Sequence, residues 1–395
     1  MKSLPFPILL AALLSASSVA QTFKILHTFA GTPDGAGPTS IIRENSTGTI
    51  YGVTFGGGAT GNGTVFKITR AGNEAVIYSF GAAPDGNFPE SITADAAHNL
   101  YGVTQVGGAS NNGTVFKIDP SGSETILYSF AGGADGRLPF GRLIRDSDGN
   151  LYGTTLFGGT SCDCGTVFKL DPSGNKTVLY TFTGVPDGAS PTGALIGDSK
   201  GNLYGTTQYG GIIRDSVIFC SGVGCGTVFK LTRGGDESVL YRFAARPNDG
   251  IFAISDLILD SAGNLYGVTS AGGMKNGITP QGLGTVFKLD PSGHETTLYA
   301  FKGKFDGGDG NIPEGGVVRD SAGNFYGVTA GGGTDQRGTI YKLDPFGNET
   351  VLFTFTNGAD GEEPTTRLVI DPAGNLFGAS SGGAGKSGLV FEFTP

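Results

Sequence analysis

The heptapeptide GNLYGTT stands at residues 149–155 and again at 201–207, and close copies recur along the rest of the chain. LYGVT begins at Leu100 and at Leu265, FYGVT at Phe325 and LFGAS at Leu376. Aligned on the aromatic of this phrase, the chain has seven anchors about fifty to sixty residues apart: Tyr51, Tyr101, Tyr152, Tyr204, Tyr266, Tyr326 and Phe377. Such a period marks a repeat architecture, in which each unit buries its apolar faces only against its neighbours. It also changes what 71 Gly and 19 Pro in 395 residues mean. Without a period they would suggest disorder; with one they read as turn punctuation.

Each unit contains four extended pieces, and unit three shows them plainly. RLIRD (142–146) is followed by a DGN turn and LYGTT (151–155); GTVFKL (165–170) is followed by DPSGN and TVLYTF (177–182). β-branched and aromatic residues bounded by Gly, Asp, Asn and Pro are the signal of strands joined by hairpins. No segment has sustained helical periodicity. The expected fold class is therefore all-β: a seven-bladed β-propeller of four-stranded antiparallel blades. A parallel β-helix is the alternative, but it would use shorter coils and would not need two tight hairpins per unit.

The termini fit a closed ring. FKILHTF (23–29) matches the fourth strand of other units, such as ETILYSF (124–130), whereas the chain ends on GLVFEF (388–393), which matches a third strand. The N-terminal strand is thus expected to complete blade seven and cover its open edge. Residues 21–395 form the propeller. Residues 1–20 read as a signal peptide: Lys2, an apolar run over residues 4–14, and Ser18-Val19-Ala20 before the cleavage point. The protein is expected to be secreted or periplasmic after cleavage, a monomer, with no transmembrane segment in the mature chain. A net charge of −9 disfavours nucleic acid and anionic membranes as partners.

DSDGNLYGTT followed by GTVFKLDPSG resembles the blade of NHL-type propellers. The whole unit more closely resembles the GloVer tandem repeat of secreted bacterial proteins. The YG pair, the Gly-Gly that follows YGTT (Gly158-Gly159, Gly210-Gly211), GTVFK and the DG-x-x-P loop carry this resemblance over residues 22–393. It implies an exported bacterial propeller and brings no activity with it.

Strand parity separates two faces. Turns after strands one and three are short and uniform; loops after strands two and four are long and variable, and are where a site is expected. The strand-four loops repeat Asp-Gly at Asp34, Asp85, Asp135, Asp187, Asp249, Asp306 and Asp360, which reads first as turn capping. Asp306, Asp309 and Asn311 form the one Ca²⁺ candidate, lacking the downstream Glu of a calcium loop; no other metal or cofactor is expected. Units four and five depart most from the repeat, unit four inserting IIRDSVIFCSGVGC over residues 212–225 and unit five MKNGITPQGL over residues 274–283. Tyr209, Arg214, Asp215, Phe219 and Arg246 could hold a sugar or peptide there, with ordinary loop drift as the plainer reading.

All four cysteines, Cys162, Cys164, Cys220 and Cys225, fall in the strand-two loops of units three and four. In an exported chain they suggest disulfides. A Cys220–Cys225 clip is preferred, Cys162–Cys164 would be a strained ring, and a cross-link between the loops is the alternative. A four-thiolate zinc site would have unusual spacing. His27, His98 and His294 share no repeat position, and no catalytic motif is legible, so no catalytic residue is assigned. The expected function is an exported binding or scaffold module for a glycan, peptide or protein on the long-loop face. The alternatives are a lyase or hydrolase on polysaccharide or a small cyclic substrate, and a structural envelope protein.

Overall fold

In the computed structural model the described residues are 21–160, 162–213, 220–244, 246, 248–273, 282–303, 308–382 and 387–395. The expected leader, residues 1–20, lies outside them. Each unit pairs its four pieces as an antiparallel meander; in blade two these are Gly86–Ala94, Leu100–Gly107, Thr114–Ile118 and Glu124–Ser129. Seven such four-stranded sheets form the molecule. Between blades two and three the connecting loop forms a 3-10 turn, Gly133–Asp135.

The N-terminal strand, Thr22–Thr28, pairs with the C-terminal strand, Leu389–Thr394, as the fourth strand of blade seven. Even its irregularity is that of the repeat. A bulge between Ile25 and His27 aligns His27 with Val390, as Tyr78 aligns with Val65 and Tyr128 with Val115. The ring is therefore closed between first and last strands.

Seven buried clusters form the core, each straddling two neighbouring blades. Between blades two and three, for example, Tyr101, Val103, Val115 and Phe130 meet Leu143, Leu151, Phe168 and Leu170. The repeat is thus written where blades touch. The two Thr residues of YGVT and GTVFK are also explained: their hydroxyls lie 2.8 Å apart in six blades, as in Thr104 and Thr114. This satisfies two buried polar groups at once. The phrase's glycine serves the blade itself rather than the approach of the next sheet. A Cβ on Gly153 would lie 2.7 Å from Phe168, its partner on the adjacent strand.

Loops after strands two and four do share a face. Gly108 N donates to the Asp85 carbonyl at 2.9 Å and Gly273 N to that of Asp249 at 2.8 Å, joining the two loop sets blade by blade. The short turns lie at the other end, where the Tyr hydroxyl of the YG phrase donates to the turn aspartate, as from Tyr152 to Asp146 at 2.9 Å.

Candidate functional site

The innermost strands surround an axial cavity of about 450 Å³, to which every blade contributes. What exposes its lining is a defect in pairing. The first strand of each regular blade bulges just after its proline, with register breaks between Pro89 and Ser91, Phe140 and Ile144, and Glu314 and Val317. A bulge frees residues from the ladder and re-aims them. The residue after the loop proline, or its equivalent, then faces the axis: Thr39, Glu90, Phe140, Thr192, Ile254, Glu314 and Thr365. Two positions further along, toward the short-turn face, stand Arg142, Asp256 and Arg367.

These last three form a charged cluster drawn from blades three, five and seven. Asp256 Oδ2 lies 3.8 Å from both Arg142 and Arg367, while its Oδ1 accepts from Ala194 N at 2.7 Å. Two cations sharing one carboxylate at that distance are incompletely neutralised, and Arg367 Nε has no hydrogen-bond partner. Above them, burial pushes the Glu90 carboxyl up to about 7, against the pull of the hydrogen bond that Gln105 Nε2 donates at 2.7 Å. Burial, and then Glu363, also raise Glu314. A carboxyl titrating near neutrality can both donate and accept a hydrogen bond. With the Thr hydroxyls and Gln208 on the wall, the chemistry suits a small, highly polar molecule.

The residues expected from the inserted loop are placed unevenly. Tyr209 is half-buried and packs edge-on to Phe252, ring centres 5.6 Å apart. Arg246 pairs with the buried Glu295 of the next blade. Arg214, Asp215 and Phe219 lie outside the described residues. The cysteines pair locally: Cys220 with Cys225, as preferred, and Cys162 with Cys164 rather than across the two loops. Their Cα atoms are 5.1 Å apart in the second pair, within the span a bridge needs.

The Asp-Gly aspartates cap their loops. Asp85 Oδ2 accepts from Gly81 N at 2.5 Å and from Tyr78 Oη at 2.9 Å, and Asp187 repeats the pattern with Thr183 and Tyr180. In blade six Asp309 takes this part: it accepts from Tyr299 Oη at 2.6 Å, and the Gly333 N donates to its carbonyl. Of the calcium candidate, Asp306 lies outside the described residues, Asp309 is buried in those hydrogen bonds, and Asn311 sits on the following strand. Sequence reading missed the axial residues. The available signal was a one-residue departure after each DG-x-x-P loop, seen only when the units are stacked and the strand is known to line an axis.

In fold the chain is similar to the extracellular domain of a putative hybrid two-component system of B. thetaiotaomicron, at TM-score 0.58 and 13% identity. That match covers 95% of this chain and 41% of the other, so this chain spans less than half of it. A gluconolactonase of Xanthomonas campestris gives TM-score 0.43 at 15% identity, over 94% of this chain and 89% of that one. A luciferin-regenerating enzyme gives 0.47 at 12%, over 95% and 96%. Likenesses at this level concern fold alone. No curated protein matches the chain in sequence. The repeat itself does have a match: the Gloeobacter/Verrucomicrobia repeat covers residues 12–219 and 221–395. The chain belongs to the Gloeobacter/Verrucomicrobia repeat family.

Proposed function

We propose that the protein is an exported binding module that takes a polar ligand, a glycan end or a short peptide, into the long-loop mouth of the axial channel. One observation carries this reading. The blades repeat almost verbatim where they pack on each other, yet the positions facing the axis differ from blade to blade and gather Glu90, Arg142, Asp256, Glu314 and Arg367. Packing needs no such charges, and burying them costs free energy that contacts to a ligand would offset. Export is supported by two disulfides, which persist in oxidising compartments; among the described residues no helix is long and apolar enough to cross a membrane.

Glycan and peptide arrays probed with the native chain, with Arg367→Gln, and with residues 212–225 replaced by a standard repeat loop test this reading. Loss of one charge-assisted hydrogen bond should weaken binding about tenfold or more in Arg367→Gln. Equal binding by Arg367→Gln would move the site out of the channel, and loss on loop replacement alone would put it on the insert.

A second reading has its own observation. Glu90, with a carboxyl near pH 7 in a cavity shared with two arginines, is poised as a general acid or base. Catalysis on a small cyclic substrate or polysaccharide end would then show a pH–rate profile that Glu90→Gln abolishes.

A further inference from the structure

Outside the channel, the most unusual donor set lies at the seam where the ring closes. At five of the other six junctions one polar motif recurs on the outer edge; at the sixth, Phe353 stands in the Tyr position. The strand-four Tyr donates its hydroxyl to the loop aspartate: Tyr78 to Asp85 at 2.9 Å, Tyr128 to Asp135 at 2.8 Å, Tyr241 to Asp249 at 2.7 Å. The first residue of the next blade's outer strand completes the group. At the seam between blades seven and one, His27 replaces the Tyr, with Asp34 and Glu74 as its partners. His27 Nε2 lies 3.1 Å from Asp34 Oδ2, and one donor atom from each of the three residues lies within 4.8 Å of the others.

Two features separate this cluster from an ordinary ion pair. Asp34 Oδ1 and Glu74 Oε1 are both buried and both without a hydrogen-bond partner, as are Asp187 Oδ1 and Glu237 Oε1 between blades three and four, but at the seam an imidazole nitrogen stands beside them in place of a tyrosine hydroxyl. Unmet carboxylate oxygens on two different elements leave negative charge that a single imidazole does not satisfy. An internal precedent also shows what such a junction accepts. Between blades two and three, Lys176 stands where Glu74 stands, and its ammonium reaches Asp135 Oδ1 at 2.7 Å. A cation fills that junction; at the seam the chain supplies another carboxylate and a nitrogen ligand.

We propose that His27, Asp34 and Glu74 bind a divalent transition-metal ion, zinc by preference, which pins the N-terminal strand to blade one. One imidazole and two carboxylates form a three-ligand zinc set that leaves a fourth position for water. A shell at about 2.0–2.2 Å requires the widest pair of donors to draw in by roughly 1 Å, within reach of side-chain rotation. His27 and Asp34 each keep about a fifth of their side-chain surface in solvent, 21% and 19%, so an ion has a way in. His27 belongs to the closing strand, Glu74 to the outer strand of blade one, and Asp34 to the loop between them. The ion would therefore bridge the point at which the circle is joined.

The test uses the chain with its disulfides intact, stripped with EDTA and titrated with Zn²⁺ alone. One equivalent should bind and the melting temperature should rise. His27→Tyr installs the residue that other blades carry, so the fold is kept while the ligand is lost; both the binding and the thermal shift should vanish. Replacing the other two histidines by residues the repeat uses, His98→Gly with His294→Asn, should leave both intact. Co²⁺ in place of Zn²⁺ should give visible absorption bands that His27→Tyr removes. Absence of stoichiometric binding, or unchanged binding in His27→Tyr, overturns the proposal.

Discussion

Tyr341 stands where six other blades carry a phenylalanine: Phe66, Phe116, Phe168, Phe229, Phe287 and Phe391. It is fully buried like them, and its hydroxyl, crowded against Gly327, finds no hydrogen-bond partner. An unmet buried hydroxyl costs about 1–3 kcal/mol, and the ring needs no hydroxyl to fill the site. Tyr341→Phe should accordingly stabilise the protein by about 1 kcal/mol in a denaturant titration, with the slope unchanged; a loss of stability would reveal an interaction the buried geometry does not contain. Residue identity was legible in the sequence wherever a side chain serves blade packing, because the other copies show what belongs there. The axial residues were not legible for the same reason reversed. Glu90, Arg142 and Arg367 read as single-copy drift along the chain, about fifty residues apart in the first two cases, and become a cluster only when the ring brings their strands to one axis.

At the scale of one strand, the outer edge of the blade sets a pH dependence. Its first residue is Glu in five blades, Glu74, Glu124, Glu237, Glu295 and Glu349, and Lys176 in blade three. Burial, and then the neighbouring loop aspartate, push Glu124, Glu237 and Glu349 from an ordinary 4.5 up to about 7. The native state thus holds protons that the unfolded chain releases above 4.5. Stability from these groups is present below that value and is lost as pH rises from about 4.5 through about 7. The short turns act in the opposite sense. Burial raises Asp95, Asp146 and Asp198, but hydrogen bonds from the turn Asn and the YG Tyr outweigh it and hold them below 3.8. Their contribution is present above the ordinary value and fades in stronger acid. The melting temperature should therefore peak in mild acid and fall toward neutrality, and Glu124→Gln with Glu237→Gln should flatten the fall. A fall of the same steepness in that double variant would show that other groups carry the titration.

For the whole molecule, the decisive element is a single strand. Four-strand units, the division of faces and the closing register could all be read from the chain, because each rests on residues repeated at fixed offsets. What the repeat does not write, the cavity and its charges, could not. Closing a loop of this length costs roughly 5 kcal/mol in chain entropy. Against that, Thr22–Thr28 and the residue after it place three apolar side chains. Phe23 stacks on Phe353 of blade six at 4.1 Å, Leu26 packs into the cluster shared with blade one, and Phe29 meets Phe66 edge-on at 5.0 Å. At about 2 kcal/mol each these offset the closure, while Ile25, 36% exposed, adds little. The seam therefore holds by a narrow margin, and one strand touches three blades. Removing residues 21–30 should lower the melting temperature sharply and leave Leu389–Thr394 as a bare edge, which invites self-association visible in size-exclusion chromatography. A synthetic peptide of residues 21–30 added in trans should restore both the melting temperature and the elution volume of the full chain, since it carries the same register to the same edge. An unchanged melting curve in the truncated chain would mean that the blades hold their circle without the strand that joins its ends.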